Sequence, residues 1–158
     1  MLPSVAAKDR QGLNWLVNEL DVYKGIIDEA TAWRLLTQAN LSENEVARYV
    51  EPRSGTYTRR SVVRRESYEL LVLTWKPGQG SVAHDHSGSL CGLKVVQGSL
   101  TEQLYASGPD GQVRPTTASQ LGAGQITVDP GVVVHALANP EDSGQVLVTL
   151  HLYSPPLP

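Results

Sequence analysis

The residues with the most chemistry in this chain are few and crowded. Two histidines stand one residue apart in His84-Asp85-His86, the only cysteine, Cys91, follows closely, and the other two histidines, His135 and His151, lie in the apolar runs VVVHAL and TLHLY. Alternate residues of an extended strand point to one face, so on a strand His84 and His86 project together and Asp85 points away. Two converging imidazoles are half of a metal site, but taken alone such a pair is more often surface or hydrogen-bonded histidines. His135 and His151 shift the balance, because a polar ring inside an apolar run needs a partner once buried. Three neutral imidazoles suit iron, copper, zinc or nickel, and they leave coordination positions open if no carboxylate joins them. Residue type alone does not choose the metal.

Other side chains fall into rows by the same alternation. Thr149, His151 and Tyr153 share one strand face, while Tyr57 and Arg59 share another, with Arg60 on the opposite side. If Tyr57 points into a barrel, Arg59 does too, and an inward guanidinium demands an anion; a planar carboxylate suits its fork. Arg60 and the rest of RRSVVRRE read as a solvated strand face.

The elements that must hold these residues follow from periodicity. From about Gln11 to Val50 the apolar residues recur at helical spacing: Leu13, Leu16, Val17 and Leu20, then Ile26, Ile27, Ala30, Trp33, Leu35 and Leu36. In LSENEVARYV, Ser42 followed three residues on by Glu45 predicts a capping box, and a further helix ends before Pro52. After Pro52 come seven short alternating runs, YTRRSVV, YELLVLTW, CGLKVV, LTEQLYA, QITV, VVVHAL and QVLVTLHLY. KPGQG, SGPDGQ, LGAGQ, DPG and PEDSGQ separate them as turns. Closely spaced strands without intervening helices predict antiparallel sheets closed as a barrel or double-sheet jelly roll. The expectation is one domain over residues 1–158, with a helical part to about residue 52 and a β-barrel over 53–158.

Composition narrows the classes. The chain has 158 residues, 41% hydrophobic and 18% charged, as ordinary globular proteins do. Phe is absent, so Trp15, Trp33, Trp75 and the tyrosines are expected to supply aromatic packing. A net charge of -3 gives no general attraction to nucleic acid. One cysteine excludes an internal disulfide framework, and MLPSVAAKDRQGLNWLV lacks the pattern of a secretory leader. No apolar run has membrane-spanning length. The expectation is a monomer in a reducing, cytoplasmic setting, without nucleic-acid or membrane partners.

The motifs then carry a resemblance. GQGSVAHDHSGSLCGLKVVQG resembles the first cupin motif, with Gly78, His84, His86 and Gly98 in register and Cys91 where the usual glutamate ligand stands. GQITVDPGVVVHALAN resembles the second, with Gly124, Pro130, His135 and Asn139 in position and Val132 where a glycine is usual. A three-histidine site without the acid is the mark of the thiol dioxygenases. From Tyr57 to Pro156 the chain is similar to cysteine dioxygenases: YTRR, the Trp75 strand, HDHSGSLC, His135 and TLHLYSPP occur in that family's order.

The resemblance implies a cupin barrel whose iron(II) is held by His84, His86 and His135, with L-cysteine and O2 as substrates and cysteine sulfinic acid as product. It implies Arg59, beside Tyr57, as the carboxylate-binding residue, and Tyr153 as a hydroxyl oriented by His151 and Thr149, where serine is usual. Cys91 and Tyr153 match positions that animal members join by a thioether bond, a protein-derived cofactor; the residue-level alternative for Cys91 is a small buried hydrophobe. The Ser154-Pro155 bond is implied to be cis. Other readings of the same residues are a 3-mercaptopropionate dioxygenase, a zinc or nickel isomerase of cupin type, and a non-enzymatic metal-binding cupin.

Overall fold

The computed structural model describes residues 11–158. Residues 1–10, which hold most of the segment read for a leader, lie outside the described residues. Among the described residues three short helices come first: α1 (Leu13–Leu20), α2 (Glu29–Gln38) and α3 (Glu43–Val46), the last running into a 3-10 turn at Ala47–Tyr49. Leu13, Leu16 and Leu20 of α1 and Ala32, Leu35 and Leu36 of α2 form the buried stripes that helical spacing predicts. Asp28 caps α2 by accepting from the Thr31 amide at 2.7 Å.

Two expectations for this layer are corrected. Ser42 makes no side-chain cap. Glu45 instead accepts from the Leu13 amide at 3.0 Å, at the start of α1, whose cap residue Gly12 has no side chain to do so. Trp33 is 52% exposed and Ile26 points to solvent as well, so neither joins the core. α2 needs only one stripe to dock, and Trp33 lies off it.

Eight strands follow among the described residues: β1 (Thr58–Arg64), β2 (Glu69–Trp75), β3 (Leu90–Gln97), β4 (Ser99–Ser107), β5 (Val113–Gly122), β6 (Ile126–Asp129), β7 (Val134–Ala138) and β8 (Leu147–Ser154). They form a five-stranded sheet ordered β1-β2-β8-β3-β6 and a three-stranded sheet ordered β5-β4-β7, with every strand pair antiparallel. The mainly β jelly roll with an N-terminal helical layer, expected from the sequence, is the architecture. β5 is the strand that the sequence pattern missed. It lies at a sheet edge, is exposed over most of its length and contains Pro115, so it has neither alternation nor an apolar run.

The central strands of the larger sheet are buried on both faces, which is why β2 and β8 read as continuous apolar runs. Leu70, Val72, Val148, Leu150 and Leu152 pack on the helices, whereas Leu71, Leu73, Trp75, Leu93 and Val95 meet Leu100, Leu121 and Leu137 of the other sheet. α2 approaches β3 so closely that a Cβ on Gly92 would meet Leu36 Cδ1 at 2.7 Å. Beyond it the buried Lys94 ammonium donates to the carbonyls of Leu36 (2.7 Å) and Ala39 (2.5 Å), satisfying the end of α2.

Candidate metal centre

The His84-to-His86 segment lies between β2 and β3 and is not a strand, a correction to the sequence reading. His84 is instead fastened by one isolated antiparallel bridge to His135 of β7, each amide donating to the other's carbonyl at 2.9 Å. His86 follows in a turn whose amide donates to the Gly131 carbonyl at 3.2 Å. Gly131 has φ +95°, and a Cβ there would sit 2.1 Å from the Ser89 carbonyl oxygen. The turn glycine missing at Val132 is therefore supplied one residue earlier, and only glycine lets the two loops touch.

These attachments bring three rings together. The His84, His86 and His135 ring centroids lie 4.9 to 5.0 Å apart, and one ligating atom from each falls within 4.8 Å of the others. His84 Nδ1–H donates to the Val82 carbonyl at 2.7 Å, and His135 Nδ1–H donates to Glu102 Oε2 at 2.9 Å, so Nε2 of each is left to ligate. His135 Nε2 and His86 Nδ1 are buried with no hydrogen-bond partner among the described residues. Burial, then repulsion from His135 and His84, lowers the His86 pKa to about 4, so its ring is neutral near pH 7. A cluster of imidazoles in which the buried His135 Nε2 has no protein partner fits a divalent transition metal.

His84 and His86 open onto a cavity of about 210 Å³, lined also by Tyr57, Arg59, Trp75, His151, Tyr153 and Leu157. Asp85 also borders the cavity, and its Oδ1 accepts from the Ser87 amide at 3.0 Å. Tyr57 stacks on Trp75 with centroids 4.1 Å apart. Arg59 reaches the cavity from its solvent-exposed side and has no ion pair among the described residues, whereas Arg60 pairs with Glu51 at 3.8 Å.

A hydrogen-bonded row runs across β2 and β8. Trp75 Nε1–H donates to Thr149 Oγ1 at 3.0 Å, Thr149 Oγ1 lies 2.9 Å from His151 Nε2, and His151 Nδ1 lies 3.1 Å from the Tyr153 hydroxyl. Tryptophan only donates, and the buried threonine hydroxyl has no other acceptor among the described residues for its own proton, which therefore goes to His151 Nε2. That choice makes Nδ1–H the donor to Tyr153 and frees the phenolic proton for the cavity. His151 is held neutral, its pKa pushed well down by burial first and by Arg59 next.

Cys91 of β3 and Tyr153 of β8 are direct cross-strand partners. Burial pushes both up in pKa, the thiol further by Asp129 and Glu102 and the phenol further by Cys91, so both are neutral. Such opposed residues have Cβ atoms about 5 Å apart.

Of the nine residues singled out in the sequence, six line this cavity, and His135, Cys91 and Thr149 stand behind it against His84, Tyr153 and His151. The sequence reading passed over Glu102, Asp129 and Leu157. Glu102 had a signal: it alternates with Leu100 and Leu104 on β4, and an acid at a core-facing position needs a partner. Asp129 had none beyond its place before a turn, and Leu157 lies past the last strand.

The architecture places the molecule among the cupins. Structural relatives include a protein of Thermus thermophilus (TM-score 0.58, 18% identity, 70% of this chain and 94% of that one) and a double-stranded β-helix domain protein of Klebsiella pneumoniae (TM-score 0.54, 24%, 70% and 86%). Within that class, the family described as cysteine dioxygenase type I matches residues 4–158, and the chain belongs to that family. It is similar to cysteine dioxygenase type 1 of Homo sapiens (34% identity over 117 residues, 71% of this chain and 58% of that one). It is similar also to that of Danio rerio (36% over 94 residues, 56% and 46%). The chain spans about half the length of the curated relatives it matches.

Proposed function

We propose that this chain is an iron(II)-dependent cysteine dioxygenase that converts L-cysteine and O2 to cysteine sulfinic acid. The observation that carries this reading is the cluster of three imidazoles beside a small cavity that also presents a guanidinium with no ion pair among the described residues and a buried tyrosine. The reaction balances without a further reductant: sulfur gives up four electrons, dioxygen accepts four, and both oxygen atoms end on sulfur.

Ferrous iron held by His84, His86 and His135 would supply the positions where thiolate, amine and dioxygen meet. Arg59 binds the substrate carboxylate through its fork and fixes the amino acid's orientation. Tyr57 and Trp75 form the flat wall beside it. The neutral Thr149-His151 pair holds the Tyr153 proton toward the cavity, where it donates to developing negative charge on oxygen. Leu157 covers an apolar side of the cavity and excludes water. The opposed Cys91 and Tyr153 are suited to a thioether bond whose formation removes two hydrogens, with O2 as the oxidant; the bond would hold the phenol in place. We read the chain as one cupin domain acting as a monomer in the cytoplasm.

Iron(II)-loaded protein supplied with O2 and either L-cysteine or 3-mercaptopropionate tests this reading, with each sulfinate quantified by mass spectrometry. Cysteine sulfinate is expected in clear excess, and Arg59→Gln should raise the KM for cysteine about tenfold, the loss of a charge-assisted pair. Preference for 3-mercaptopropionate would remove Arg59 as the selector, and no product from either would favour the non-enzymatic metal-binding reading.

A further inference from the structure

Two of the three clustered histidines have their outer nitrogen satisfied, by the Val82 carbonyl for His84 and by the Glu102 carboxylate for His135. His86 does not. Its ring is buried, 3% of the residue being exposed, and Nδ1 has no hydrogen-bond partner among the described residues. The Asp129 carboxylate stands 3.9 Å from it.

Asp129 is built into this position. It ends β6 directly opposite Cys91, and Oδ1 accepts from the Gly131 amide at 2.7 Å, while the Gly131 carbonyl accepts from the His86 amide. One glycine turn therefore ties the acid to the histidine's backbone. Asp129 has no Lys or Arg ion pair among the described residues, and an oxygen of its carboxylate, His86 and Cys91 bring ligand-type atoms within 4.8 Å of one another. The gap to His86 is roughly 1 Å longer than a charge-assisted N–H···O bond, a distance that rotation of the short side chain can close.

We propose that Asp129 is a positioning residue for the metal centre, accepting a hydrogen bond from His86 Nδ1–H and so presenting Nε2 as the ligating nitrogen. This inference rests on the metal-binding reading above. With it, all three imidazoles ligate through Nε2, and two carboxylates, the buried Glu102 and the half-buried Asp129, stand one bond outside a ligand set that has no charge of its own. The acid that is absent from direct ligation returns behind the histidines, where it offsets the cation without occupying a position needed by substrate.

The test is anaerobic titration of the full chain with iron(II), and with Co2+ as a spectroscopic probe, against a chromophoric chelator. Asp129→Asn keeps an acceptor oxygen but not the charge and should weaken metal binding by about 3- to 10-fold; Asp129→Ala should weaken it by about 10- to 100-fold. The visible bands of bound Co2+ should shift in Asp129→Asn, while the melting temperature of the metal-free protein stays at the wild-type value. Asp129→Asn alone decides the matter if Asp129→Ala does not fold. Affinity within twofold of wild type in Asp129→Asn, or a loss matched by a fall in metal-free melting temperature, would overturn the proposal. Absence of metal binding by the wild-type chain would instead overturn the metal-centre reading itself.

Discussion

Strand β8 carries two sequences interleaved. Val148, Leu150 and Leu152 face the helices and bury only hydrocarbon, whereas Thr149, His151 and Tyr153, one residue out of step, form a hydrogen-bonded row toward the cavity. Both sets are almost wholly buried, so burial does not distinguish them. Their partners do. The helix-facing set can exchange one hydrocarbon for another of similar volume at modest cost, while each polar residue of the cavity-facing set depends on its neighbour for its proton. Stability and chemistry are therefore separable along one strand, by parity alone.

The sharpest way to break this separation lies on the cavity side. Replacing His135 with Ala removes one of three clustered imidazoles and strands Glu102 without its partner. Sulfinate formation should fall by more than about 100-fold, because loss of a ligand exceeds the 10- to 100-fold typical of an outer partner. Metal analysis of the purified variant should show no retained iron, with the fold intact by circular dichroism.

The opposite face should respond in stability rather than in rate. Leu150→Ala leaves a cavity between β8 and the helices and should cost about 2–5 kcal/mol in urea unfolding. Turnover per folded molecule should stay within twofold of wild type. A large fall in turnover would show that the helical layer controls the site, which the parity argument denies.

The smallest effect sharpens the comparison. Thr149→Val preserves shape but removes the hydroxyl that links Trp75 to His151, and kcat should drop roughly tenfold at nearly constant KM, as for a lost hydrogen bond in the transition state. Thr149→Ser should keep the wild-type rate. Steady-state kinetics on the three proteins separates a role for the hydroxyl from one for the methyl.

Much of this arrangement is legible in the amino-acid sequence. The row on β8 follows from alternation, and the shared face of Tyr57 and Arg59 from the same rule on another segment. What is illegible is held by tertiary contacts. His84 and His86 converge although their segment is no strand, because one bridge to His135 and the Gly131 turn do the work of a ladder. β5 leaves no pattern since it lies at an edge and faces solvent over most of its length. Glu45 carries a local capping signal in sequence, yet its carboxylate goes to a helix 32 residues away, where Gly12 can offer none. Asp129 is recognisable only by its carboxylate standing beside a ring that lacks a partner.

The most direct test of the central claim is the fate of dioxygen. Iron(II)-loaded protein is given L-cysteine under 18O2, and the isotopic composition of the sulfinate is read by mass spectrometry. Both product oxygens are expected to carry the label, from a single O2. A sulfinate labelled at one oxygen, or cystine as the only product, would contradict it.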